Sequence, residues 1–130
     1  MLVGAGVGFT PMLSMLHATR HHDRPLWYVH GTSDGDHHAL RHEVDALVAA
    51  NPRAVQHVAY SRPGRDDVHG RDYHARGRIT AASLLGLGAG SQAHYLLCGP
   101  PSFLADIRNG LEAAGVPPRM IHSETFGPAG

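Results

Sequence analysis

Three glycines at alternate positions, Gly4, Gly6 and Gly8, run straight into Thr10 and Pro11 in the stretch "GAGVGFTPM" (residues 4–12). Glycine admits positive φ and lets a backbone approach an anion closely. The open N–H groups and positive end of a following helix then favour a phosphate. Proline suits the first helical turn because its missing N–H has no intrahelical partner there, and Thr10 adds a hydroxyl donor. Phe9 stands where the third glycine of a GxGxxG turn would be. Taken alone, the stretch supports two readings, a phosphate cradle or a tight structural turn.

Cys98-Gly99-Pro100-Pro101 is the second stretch with chemical content. A thiol at a strand end can pack on a planar ring, or it can be a small buried residue before a helix-starting proline. No base is legible beside it, so thiolate catalysis is not indicated. A third is the polar segment 61–78, "SRPGRDDVHGRDYHARGR", with Ser61, Arg62, Arg65, Arg71 and Tyr73. Arginine grips phosphate through paired donors, while Asp66, Asp67 and Asp72 allow the alternative of a charge-balanced, solvated loop. Twelve histidines invite a metal reading. His38 and His42 are four apart and His21 and His22 adjacent, but no third and fourth ligand is suitably spaced. No metal is expected.

These stretches need a scaffold, and the chain alternates short apolar runs with helix-length segments. Strands are expected at 1–5, 25–31, 54–60, 93–99 and 119–126, rich in β-branched and aromatic residues. Helices are expected at 11–22, opened by Pro11, at 37–50 with Asp36 as N-cap, at 80–87 capped by Thr80, and at 101–115 closed by Gly115. "GLGAGS" (86–91) reads as a loop. Nearly uniformly apolar strands separated by helices predict an α/β fold: a three-layer, doubly wound, parallel five-stranded sheet of order 3-2-1-4-5. Ligands of such sheets bind beyond the carboxyl ends of the strands, where the winding reverses. The first and fourth strands flank that point, and "GAGVGFTP" and "CGPP" end those two strands.

The chain has 130 residues, one domain's worth, with 42% hydrophobic and 17% charged residues. Eleven basic residues, all arginine, balance eleven acidic ones. Neither nucleic acid nor an anionic membrane surface is therefore an expected partner. The single cysteine excludes an internal disulfide or a cysteine-ligated iron–sulfur cluster within this chain. No basic segment followed by an apolar core opens the sequence, and no apolar run reaches membrane-spanning length, so a cytoplasmic domain is the expectation.

Together, "AGVGFTPMLSML", "YLLCGPPSFLADIRNGLEAAGV" and "IHSETFG" resemble the NAD(P)-binding domain of ferredoxin–NADP reductase-like oxidoreductases. The likeness is strongest to the reductase half of flavohaemoglobins and oxygenase reductases, and it covers essentially the whole chain. The resemblance implies that Gly6, Val7, Gly8, Phe9, Thr10 and Pro11 hold the pyrophosphate of NADH or NADPH. It puts Cys98, Gly99 and Pro100 in the nicotinamide pocket, with Pro101 and Phe103 of the same motif among the cofactor contacts. Cys98, Glu124 and Phe126 are implied at the contact where hydride passes from nicotinamide to the flavin of FAD. Ser61-Arg62 falls where NADP-preferring relatives place a pair against the 2′-phosphate, and Tyr73 where an aromatic stacks on adenine. Flavohaemoglobin-like relatives tend to use NADH, so the preference stays open.

The family's flavin-binding barrel is not in this chain. The sequence therefore reads as one 1–130 NAD(P)H-binding domain, an isolated or truncated half, that needs a flavin-binding domain and passes electrons to a haem or iron–sulfur acceptor. The alternative is a non-catalytic nucleotide-binding or regulatory module without a flavin partner.

Overall fold

The computed structural model describes residues 1–5, 25–38 and 41–125; for His37, Glu124 and Thr125 the backbone alone is described. Six parallel strands form one sheet: β1 (Leu2–Ala5), β2 (Leu26–Thr32), β3 (Ala54–Tyr60), β4 (Ala75–Arg76), β5 (Tyr95–Gly99) and β6 (Ile121–Thr125). Their order is β4-β3-β2-β1-β5-β6. Among the described residues three α-helices accompany them: α1 (Arg41–Ala49), α2 (Ala81–Leu85) and α3 (Pro101–Ala113). Parallel strands cannot be joined by tight turns, so each return path leaves the sheet and covers one of its faces.

Side-chain alternation along the strands builds two cores. Val3, Val29, Tyr95, Leu97 and Ile121 pack with Leu84 of α2 and Leu104, Ile107 and Leu111 of α3. On the other face Leu2, Leu26, Tyr28 and Cys98 pack with Val44 of α1. Adjacent residues such as Leu2 and Val3 thus enter different layers, as a period of two requires. Each fully buried aliphatic side chain contributes about 1.5–3 kcal/mol.

Local signals set the helix ends near the cleft. The Thr80 side chain accepts from the Ser83 amide at 3.1 Å while the Ser83 hydroxyl accepts from the Thr80 amide at 3.0 Å, a reciprocal cap that starts α2. Pro101 occupies the first turn of α3, and Gly115, at φ +98°, ends its last turn.

The expected strand order holds, with one correction: the sheet has six strands rather than five. The extra strand, β4, is two residues long and lies inside the segment read as a polar connection. It pairs with the end of β3, Ala59 with Ala75 and Tyr60 with Arg76. Just before it, the His74 amide donates to the Val58 carbonyl at 2.7 Å and His74 Nδ1 accepts from the Val58 amide at 2.9 Å. Asp36 is not an N-cap; it sits in a 3-10 turn (Gly35–His37) ahead of α1. The expected helix 11–22 lies outside the described residues. Among those described, no helix is long and apolar enough to cross a membrane.

Candidate functional site

The strand order reverses between β1 and β5, with α1 packed on one face of the sheet and α2 and α3 on the other. Gly4 pairs with Cys98, and Cys98 with Glu124, so three residues from separate motifs occupy one row across β1, β5 and β6. The row lies at the carboxyl ends of these strands, the place where doubly wound sheets hold ligands.

A cleft of about 540 Å³ opens beside this row, within the size range of small-molecule sites. One wall carries Thr32 and Ser33 after β2 and Ser61 after β3. Arg78, Ile79 and Thr80 form a second wall, while Pro100, Phe103 and Asp106 of the β5–α3 segment form a third. The floor is apolar, from Ile79 and Ile107, and the rim offers hydroxyls and one guanidinium. Gly99 is required by space: a Cβ there would stand 2.9 Å from Phe103 Cδ2 and 3.4 Å from Ala5 Cβ. The backbone of β5 thereby comes close to both β1 and the Phe103 ring.

Two carboxylates build the loop that leaves β3. Asp72, 7% exposed, accepts from Arg41, from Arg71 at 3.0 Å and from the Val68 amide at 2.7 Å. The Arg71 bond foremost, then the Val68 amide and Arg41, holds its carboxyl far below the usual carboxylate range. Asp67 Oδ2 accepts from the Gly64 amide at 2.6 Å and from the Gly35 amide at 3.1 Å. Beneath the loop, His38 Nδ1 and the Tyr60 hydroxyl share a hydrogen bond of 2.7 Å. Burial, aided by Arg41, holds the His38 imidazole below its ordinary value, and burial pushes the Tyr60 phenol up to about 12.

The structure brings Ser61, Pro100 and Phe103 of the expected residues to the cleft. Pro101 starts α3 beside them. Arg62 is exposed, its amide donating to the Ser33 carbonyl at 2.8 Å. Cys98 is buried with Leu2 and Tyr28 on the α1 face of the sheet, away from the cleft lining. Tyr73 lies outside the cleft: its ring stacks on Tyr60 at 5.1 Å between centroids and meets His69 edge-on at 5.4 Å. Gly6, Val7, Gly8, Phe9, Thr10, Pro11 and Phe126 lie outside the described residues, and for Glu124 only the strand position is described.

Arg71 is engaged by Asp72, while Arg62 and Arg65 of the same loop are exposed. His38 precedes α1 and faces Tyr60, so it does not share a helical face with His42. No group of three or more His, Cys, Asp or Glu is arranged for a metal among the described residues. Thr32, Ser33, Arg78 and Asp106 were not singled out from the sequence. For Arg78 a signal existed, since it sits directly before the capped start of α2, at the carboxyl edge of the sheet.

Comparison with known proteins agrees with this geometry. Residues 2–109 match the family model described as an oxidoreductase NAD-binding domain. A flavohemoprotein of Burkholderia sp. (strain TH2) is 36% identical over 130 residues, covering 99% of this chain and 32% of that protein. A flavohemoprotein of Bordetella pertussis is 38% identical over 132 residues, covering all of this chain and 33% of its own length. The chain spans about a third of the length of these curated relatives. Among solved structures, the FAD/NAD-binding domain of nitric oxide dioxygenase from Vibrio cholerae O1 biovar El Tor superposes with a TM-score of 0.82 at 30% identity, covering 98% of this chain and 50% of that one. A sheet that reverses between Gly4 and Cys98, a cleft at that point and a sequence match over residues 2–109 lead to one assignment: the chain belongs to the oxidoreductase NAD-binding domain family.

Proposed function

We propose that this chain is the NAD(P)H-binding domain of a cytoplasmic flavin-dependent electron-transfer reductase, and that it acts on a flavin held by a separate domain. The observation that carries the reading is the row Gly4–Cys98–Glu124 at the reversal point, with the cleft beside it. The residues present fit half of a dinucleotide. Ser33, Ser61 and Arg78 offer donors to phosphate and ribose oxygens, and the Asp106 carboxylate suits ribose hydroxyls. Phe103, against Gly99, offers a ring surface within the cleft. The carboxyl ends of β1 and β5, with Cys98, Gly99 and Glu124, then take the nicotinamide side.

When bound, the reduced nicotinamide supplies hydride to the flavin; the chain's own residues bind, orient and exclude water. Pro100 and Pro101 fix the backbone that follows Gly99, so the ring's resting surface does not depend on flexible side chains. Burial of the Cys98 side chain makes it a packing surface rather than a nucleophile. The acceptor beyond the flavin is a haem or an iron–sulfur centre.

The test is reconstitution. The full-length protein carrying this chain, loaded with FAD, should reduce ferricyanide with NADH or NADPH as donor. Absence of both that activity and pyridine-nucleotide binding refutes the reading.

A further inference from the structure

Two loops supply one wall of the cleft: the one after β2, with Thr32 and Ser33, and the one after β3, with Ser61 and Arg62. They start as a continuation of the sheet, for the Ser61 amide donates to the Thr32 carbonyl at 3.0 Å and the Arg62 amide to the Ser33 carbonyl at 2.8 Å. Beyond that point no strand pairing holds them. The tie is extended by a side chain: one oxygen, Asp67 Oδ2, accepts from Gly64 of its own loop and from Gly35 of the neighbouring loop. The Asp67 amide in turn donates to the Gly64 carbonyl at 3.1 Å, which closes the turn that aims the carboxylate.

Gly35 is matched to this arrangement by space. A Cβ on Gly35 would fall on Asp67 Oδ1, so a larger residue there forces the carboxylate or the Gly35 loop to shift and disturbs the two bonds. The Asp67 charge also acts on Arg71 and His38, but toward bound phosphates a carboxylate opposes binding by Coulomb repulsion. What a carboxylate oxygen does supply is a strong acceptor for two N–H groups at once.

We infer that Asp67 is a positioning residue for nucleotide binding: through its single oxygen it locks the Ser33 loop to the Ser61-Arg62 loop and so fixes the shape of that wall of the cleft. The inference rests on the reading of the cleft as a nucleotide site. Its signature is a sign. Removal of a negative charge near an anionic ligand tightens binding if charge is all that matters, whereas loss of the lock weakens it. The amide of Asn offers one oxygen in the same place, so Asp67→Asn retains both hydrogen bonds without the charge.

The test is calorimetric titration of NADH and NADPH into the full chain and its variants. Asp67→Ala should raise Kd about three- to tenfold, Gly35→Ala should do the same, and the double variant should be no worse than either alone. Asp67→Asn should stay within about twofold of the unaltered protein or bind slightly more tightly. If Asp67→Ala does not fold, Gly35→Ala and Asp67→Asn still separate the outcomes. Unchanged or tighter binding in both Ala variants overturns the inference, as does an equal loss in Asp67→Asn. Failure of the unaltered chain to bind either nucleotide overturns the functional reading instead.

Discussion

Replacement of Asp72 by Asn tests how the long loop after β3 is held. The carboxylate is almost fully buried and receives Arg41 on one oxygen, with Val68 N–H and Arg71 on the other. Asn keeps one acceptor oxygen but turns the other position into a donor. Either Arg41 or the Val68 amide must then face an N–H₂ group, donor against donor. A hydrogen bond to a charged group nets about 1.5–3 kcal/mol. The Arg71 side chain is 67% exposed, so its pair is screened by solvent and is left out of the sum. The expected loss is about 2–3 kcal/mol. At about 3–4 °C per kcal/mol for a domain of this length, that lowers the unfolding temperature by roughly 8 °C.

Thermal unfolding followed by circular dichroism at pH 7 is the assay, repeated at lower pH. The folded-state pKa of Asp72 lies below its ordinary 3.8. Its contribution is therefore fully present above about 3.8 and disappears as pH falls through the folded value. The gap between the two proteins should be constant from pH 5 to 8 and close in strong acid. A loss under about 2 °C at pH 7, or a gap that stays open as acid denatures both, would refute the reasoning.

Three further outcomes are expected. Gly99→Val forces the Phe103 ring from its place, since even a Cβ at Gly99 would stand 2.9 Å away; nucleotide affinity, read by titration with NADH, should fall at least about tenfold, and retained affinity would count against the crevice assignment. Arg62→Ala and Arg78→Ala should each raise Kd for NADPH more than for NADH if either guanidinium reads the 2′-phosphate; equal effects on both cofactors would remove that role. Burial foremost holds the imidazoles of His38, His57 and His74 below the ordinary 6.5. The unfolded chain then binds more protons than the folded one just below that pH, so the unfolding temperature should drop between pH 7 and 5.5; a flat profile would contradict the shifts.

The parts that govern the reversal point were legible in the sequence because each is a local pattern. A run such as "YLLCG" is apolar throughout, as a strand covered on both faces must be, and Thr80 with Ser83 writes its own helix start. The strand order then followed from the alternation of apolar strands with helices, and the glycine and proline signals at two strand ends fall at its reversal point. What was illegible depends on contacts between distant residues. Two residues of β4 are too few to show a period. Asp67 and Asp72 look like counter-ions to nearby arginines, and only the folded chain shows them accepting from Gly35 and Arg41, some thirty residues away. Tyr73 is an aromatic in that segment, and only the folded chain shows one face of its ring stacked on Tyr60. Arg78 belongs to the cleft only because α2 starts there.

His74 gives the outer edge of the sheet an unusual finish. Its ring nitrogen and its amide satisfy both polar groups of Val58, so one residue imitates a stretch of strand that the chain does not provide. To accept at Nδ1, the ring must carry its proton on Nε2. Acid places a second proton where the Val58 N–H already points, and the two donors repel. The seal on β3 thus depends on a neutral ring: once His74 takes a second proton, the Val58 amide loses its acceptor.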